Sequence, residues 1–115
     1  MLKRVGLVTA VCALGLLLVA CDTLKISDIT ADPGRFNGKE VSVAGKVTSL
    51  SVAAIGKGLY EIDDGTGKLV VISETRGAPA QGATVGVKGH IVPTFTFLGK
   101  SYVTVLRESD RKLIK

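Results

Sequence analysis

One histidine, His90, and two cysteines, Cys12 and Cys21, are the whole supply of the side chains that most often carry nucleophilic or metal chemistry in these 115 residues. A Ser-His-Asp set would rest on His90 as its single candidate base, and a Cys/His pair would need a thiol from the first 21 residues. A lone histidine among scattered carboxylates has no zinc spacing, and Asp63-Asp64-Gly65 lacks the alternating oxygens and distal glutamate of a calcium loop. Asp64-Gly65-Thr66-Gly67-Lys68 lacks the four-residue spacing of a phosphate loop, and its lysine begins a strand where a helix is required. Long helices are disfavoured, because 12 of the 14 glycines follow residue 20. The chain is too short for two cores, which excludes two domains, a large enzyme scaffold and a multi-span membrane protein. These absences point away from an enzyme and leave no cofactor or metal to expect.

What is present begins with Lys3-Arg4 and an apolar run, Val5–Ala20, interrupted only by Gly6, Thr9 and Gly15. Sixteen helical residues rise about 24 Å, short of the ~30 Å hydrocarbon core, so the run reads as a secretory signal more readily than as a permanent membrane helix. Its end, Leu18-Val19-Ala20-Cys21, resembles the lipobox of bacterial lipoproteins. The resemblance implies that residues 1–20 are removed and that the Cys21 thiol takes a diacylglyceryl group. It also implies acylation of the new amino terminus, palmitate being an expected chain. Cys12 would leave with the signal and Cys21 would become a thioether, so the mature chain would hold no free thiol. Asp22 resembles the enterobacterial signal for retention in the inner membrane, which favours the periplasmic face of that membrane over the outer one. Without Lys3 and Arg4 the net side-chain charge falls from +5 to +3, too mild to imply nucleic acid and suited to weak attraction toward anionic headgroups.

The remainder divides into a tether at 21–25, a folded domain at 26–107 and a polar tail at 108–115 that frays or adds a helical turn. Ser27 and Asp32-Pro33 carry the capping and proline chemistry of short helical turns, and Ile26, Ile29 and Phe36 form one apolar patch over the end of a core. Period-two alternation follows. Val41, Val43, Gly45 and Val47 mark a first strand, with a bend or bulge expected at Gly45. Leu59–Asp63 and Lys68–Ser73 flank the turn Asp64-Gly65-Thr66-Gly67 as a hairpin. Ala83–Val92 is a fourth strand ended by Pro93, and Ser101–Arg107 is a fifth. Five short strands with mid-strand glycines predict an all-β, small five-stranded Greek-key barrel preceded by a helical turn.

Several segments carry a family likeness: Asp32-Pro33 with Phe36-Asn37-Gly38-Lys39, Val41-Ser42-Val43-Ala44-Gly45-Lys46-Val47, Tyr60-Glu61-Ile62-Asp63-Asp64-Gly65-Thr66-Gly67, and Val85-Gly86-Val87-Lys88-Gly89. Together they resemble the small bacterial OB-fold family related to tRNA-anticodon-binding-like domains, over roughly Ile26–Arg107. Many OB folds carry a helix between strands 3 and 4; Glu74–Gly82 is too short and too rich in glycine and proline for one. The resemblance implies ligand binding across strands 2 and 3, between the loops joining strands 1–2 and 4–5. Burying Glu61 and Asp63 unpaired would cost several kcal/mol, so Tyr60 is expected to point inward, leaving that face without a stacking ring. His90, on the strand face opposite Val87 and Ile91, is expected to face solvent.

The two bordering segments are unusually apolar: Thr48–Gly58 holds Ile55, and Pro93–Lys100 holds Phe95, Phe97 and Leu98. Ile55, Phe95 and Phe97, rimmed by Lys57 and Lys100, form a candidate ligand-binding patch. The alternative is that Phe95 and Phe97 extend strands 4 and 5 as a hairpin and close the barrel end. The expected function is a membrane-anchored, non-catalytic envelope binding module for a protein partner or small ligand. The alternative ligand is single-stranded nucleic acid or another anionic polymer, held by Lys46, Lys57, Lys68, Lys88 and Lys100.

Overall fold

A computed structural model describes residues 23–115, so the expectations placed on Cys21, Asp22 and the preceding signal lie outside the described residues. A short helix α1 (Ile26–Ala31) and a 3-10 turn (Pro33–Arg35) lead into five strands: β1 (Glu40–Ala54), β2 (Lys57–Asp63), β3 (Lys68–Ser73), β4 (Thr84–Phe97) and β5 (Lys100–Leu113). They close in the order β1-β2-β3-β5-β4, with β1 paired to both β2 and β4 and with β3 parallel to β5. This is the small five-stranded all-β barrel that the alternation predicts, and it is OB-like, as the resemblance implies. Among the described residues, both hydrophobic clusters and the five paired strands lie within 24–113.

The barrel interior is filled by the inward residues of each strand, among them Val43, Tyr60, Ile62, Val71, Val87 and Leu106. The β3–β4 connection carries no helix, and the interior is covered instead by Ile26 and Ile29 of α1, both fully buried. No side chain of its own caps α1. Its free N–H groups are taken by the distant β2–β3 turn, where Asp64 Oδ2 accepts from Ile26 N at 2.9 Å and Thr66 Oγ1 from Ser27 N at 3.1 Å. Asp64 Oδ1 also accepts from the N–H groups of Thr66 and Gly67, which closes the turn around Gly65 at φ 90°. Partial burial pushes the Asp64 carboxyl up, but the hydrogen bonds from Thr66, Ile26 and Gly67 outweigh it and hold the group below its usual range.

Three expectations about strand extent need correction. β4 does not stop at Pro93. His90 is its last residue opposite β1 and Ile91 still bonds to Gly38 and Lys39; from Val92 on the strand pairs with β5 alone, and a proline without an N–H is tolerated on such an edge. The ladder skips Pro93 and Thr104 and resumes in the same register, with Thr104 at φ 52°. The first strand likewise runs past Thr48 to Ala54, after a break in register between Val47 and Ser51. Finally, residues 108–113 are not a tail but the second half of β5, paired with β4 from Val85↔Leu113 to Gly89↔Glu108.

That last stretch contains a bulge. Lys88 pairs with Asp110 and Gly89 with Glu108, so Ser109 is the extra residue, and the shift in parity turns both Glu108 and Arg111 toward Tyr60. Tyr60 Oη donates to Glu108 Oε1, and Arg111 Nη1 lies 3.3 Å from the same oxygen. Arg111 sits over the Tyr60 ring and donates to Gly77 O at 2.8 Å. The Glu108 side chain is 2% exposed, which only a paired carboxylate tolerates. Burial and then the Glu108 carboxylate push the Tyr60 hydroxyl far above the ordinary tyrosine range.

Candidate functional site

The outer face of β2 and β3, where OB folds commonly bind, is not open. Leu59 and Ile72 on that face are fully buried beneath a second apolar cluster that also contains Phe97 and Val105. Leu50, Ala54, Val70, Val92, Phe95 and Tyr102 pack around it. The β4–β5 hairpin supplies most of this cover. Glu61, the polar residue left on β2, is half-buried and accepts from Thr48 Oγ1 at 2.9 Å.

Phe97 is therefore a packing residue, 7% exposed, and not a free contact for a ligand, while Phe95 is half-buried in the same cluster. The reason is the length of the hairpin: because β4 continues past Pro93, the Phe97 ring reaches a sheet face that a shorter strand would leave bare. Ile55 has the opposite fate. It is fully exposed at the β1–β2 turn, followed by the exposed Lys57. Lys100 is exposed at the start of β5, with Nζ 5.4 Å from the centre of the Tyr102 ring. Lys46, Lys68, Lys88 and His90 are all exposed on the barrel wall.

The two hairpin turns share one design. Ala54 pairs with Lys57 and Phe97 with Lys100, leaving Ile55-Gly56 and Leu98-Gly99 as two-residue turns. All four residues have positive φ, 39° and 75° in the first turn and 51° and 81° in the second, which is the pattern of a type I′ turn. Such turns favour Asn or Asp before Gly, because an aliphatic side chain in the left-handed region costs about 1–2 kcal/mol. Here each turn places a large aliphatic there and shows it to water, Leu98 being 70% exposed. Sequence reading missed Leu98 as a site residue, although the repeated aliphatic-Gly-Lys triplet, Ile55-Gly56-Lys57 and Leu98-Gly99-Lys100, is the signal that identifies it. Ala54 and Phe97, which precede the turns, both belong to the second cluster, so one packed unit carries both tips.

Two shallow grooves lie among the described residues. One of about 570 Å³ follows the register break in β1 and is lined by Lys46, Thr48, Ser49, Asp63 and Gln81. The other, about 480 Å³, lies between the β3–β4 connection and the end of β5, beside Arg76, Pro79 and Leu113. Its two arginines are already paired, Arg111 with Glu108 and Arg76 with Asp110 at 3.6 Å, and Lys115 adds a further positive charge to its lining. Among the described residues no cluster of three His, Cys, Asp or Glu has the geometry to hold a metal.

Two solved structures share the fold. A Leishmania major Friedlin structure described as an aspartyl-tRNA synthetase superposes with a TM-score of 0.59 at 12% identity, over 76% of this chain and 19% of that one. An OBody bound to hen egg-white lysozyme superposes with a TM-score of 0.53 at 16% identity, over 70% of this chain and 85% of that one. This chain thus spans about a fifth of the synthetase. No protein-family model matches the sequence, and no curated protein matches it in a sequence search. At these identities the likeness establishes an OB-like barrel and leaves the ligand open.

Proposed function

We propose that the protein is a non-catalytic binding module, held at the bacterial envelope by a lipid on Cys21, whose contact surface is the pair of hairpin tips rather than the sheet face. The observation that carries this reading is the sealing of the β2–β3 face by Phe97 together with the exposure of Ile55 and Leu98. The lipobox-like end of the leader, with Asp22 after Cys21, supports attachment to the inner membrane. The OBody bound to hen egg-white lysozyme is a barrel of the same fold that engages a globular protein, which supports a binding role without chemistry.

A second reading, single-stranded nucleic acid, draws on one observation: the half-buried Tyr102 ring under Lys100 is an aromatic beside a cation. Photo-crosslinking separates the readings. A photoactivatable residue in place of Leu98 is expected to trap an envelope component, and the same residue in place of His90 is not. Equal trapping from both positions overturns the tip assignment. Mass spectrometry of the mature amino terminus tests the lipid, and an unmodified chain beginning elsewhere overturns it.

A further inference from the structure

We propose that the occupant of the two tips is the surface of an anionic lipid bilayer, into which Ile55 and Leu98 insert while Lys57 and Lys100 hold the headgroups; this rests on the tips being the contact surface. Shape is the first ground. Each tip is a convex two-residue turn with a single aliphatic at its apex, and a protein partner of ordinary affinity needs about 800 Å² of fitted surface on each side. A fluid apolar phase needs no matching shape.

Charge is the second ground. The chain has no Asp or Glu between Glu40 and Glu61, and none between Glu74 and Glu108, so both hairpins are free of acidic residues along their entire length up to those bounds. Within them each apical aliphatic is followed two positions later by a lysine whose stem reaches past the apolar tip to the headgroup level. Tyr102 beneath Lys100 is the amphipathic ring that favours the membrane–water boundary.

The geometry has a consequence for orientation. α1 is bound to the β2–β3 turn, at the opposite end of the seven-residue strand β2 from the Ile55 turn, a separation of about 23 Å along the strand. A chain attached through Cys21 and through its tips lies with its long side along the bilayer, held at two points.

Residues 23–115, which hold the five strands of the closed barrel, are mixed with vesicles of phosphatidylcholine alone or with 30% phosphatidylglycerol, folding being checked by a cooperative melt. Binding is expected to the anionic vesicles and to fall about thirtyfold in Lys57→Gln with Lys100→Gln, the effect of two basic side chains near such a surface. It is expected to fall at least tenfold in Ile55→Ser with Leu98→Ser. Because the chain has no tryptophan, Ile55→Trp and Leu98→Trp serve as single reporters whose emission shifts to the blue and is quenched by brominated lipid, while His90→Trp does neither. Absence of binding to anionic vesicles, equal binding to both compositions, or binding indifferent to the serine pair overturns the proposal. A dimer in sedimentation that the serine pair abolishes would assign the tips to a second copy and overturn it too. If vesicles fail while crosslinking from Leu98 still traps an envelope protein, the lipid is refuted and the tip assignment stands.

Discussion

Replacing Ile55 with asparagine is expected to stabilise the fold. Ile55 stands at φ 39° with a β-branched side chain, and it is fully exposed, so the substitution relieves backbone strain and uncovers no core. The left-handed penalty is about 1–2 kcal/mol, asparagine tolerates that region, and the gain is therefore about 1 kcal/mol. For a domain of this size that raises Tm by about 4–8 °C. Leu98→Asn is expected to gain less, since leucine is not β-branched and about a third of Leu98 is covered. The two gains add if the turns are independent. The assay is thermal unfolding of residues 23–115 followed by far-ultraviolet circular dichroism, with Ile55→Ser as a second, polar comparison. An unchanged or lower Tm for Ile55→Asn refutes the claim that the turn is strained for lack of asparagine.

Gly89→Ala is expected to cost about 2–3 kcal/mol, because its Cβ would stand 2.1 Å from the backbone oxygen of Arg107; the neighbouring exposed Lys88→Ala should stay within about 0.5 kcal/mol in denaturant titration. Tyr60 has a raised folded pKa, so its contribution is fully present below about pH 10 and is lost as pH rises above that, by about 1.4 kcal/mol per pH unit. Tyr60→Phe should remove that alkaline slope in pH-dependent melts, whatever its effect at neutral pH. Asp64 has a lowered folded pKa, so its contribution is present above the unfolded value near 3.9 and is lost as pH falls through the folded one. Asp64→Ala should cost about 1–2 kcal/mol at pH 7 through the lost α1 cap and show a weaker loss of stability on acidification.

The barrel is legible in the sequence where strands have one buried face. Val41-Val43-Gly45-Val47 and Val85-Val87-Gly89-Ile91 keep their alternation because every second residue enters the interior cluster. Gly45 is not the site of the bulge expected there, since the register shifts between Val47 and Ser51; a glycine stands at 45 because a Cβ would meet Asp63 O at 2.9 Å. The outer half of the β1–β2 hairpin is not legible as strand, and that of the β4–β5 hairpin is legible only as one of two alternatives. After the register break in β1 both faces of Ser49–Ala53 are at least partly exposed, and in β4 the proline reads as a terminator unless the strand is known to be an edge. Residues 108–113 read as a tail because their charges look solvated, and only the bulge at Ser109 reveals that Glu108 and Arg111 face Tyr60. At the candidate site the sequence leaves two readings of Phe97, a free ring in a binding patch or a ring on an extended hairpin that closes the barrel, and the second holds, so truncating it is a core substitution worth about 3–5 kcal/mol.

The two long hairpins also bear on the class of ligand. A binder of single strands needs rings on which bases stack and a continuous cationic groove beside them. In this barrel the face that would supply the rings is occupied by Leu59, Ile72, Val105 and Phe97. The exposed lysines of the wall, Lys46, Lys68 and Lys88, stand on β1, β3 and β4, and Asp63 pairs in register with both Lys46 and Lys68. The wall's positive charge is thus interrupted, whereas the tips keep theirs uninterrupted by any carboxylate. Selection for stability alone would replace Ile55 and Leu98 with asparagine and hide no apolar surface by doing so. Ile55 and Leu98 instead stand strained and exposed, each two positions before a lysine, which is the arrangement that the proposed contact with an anionic bilayer uses.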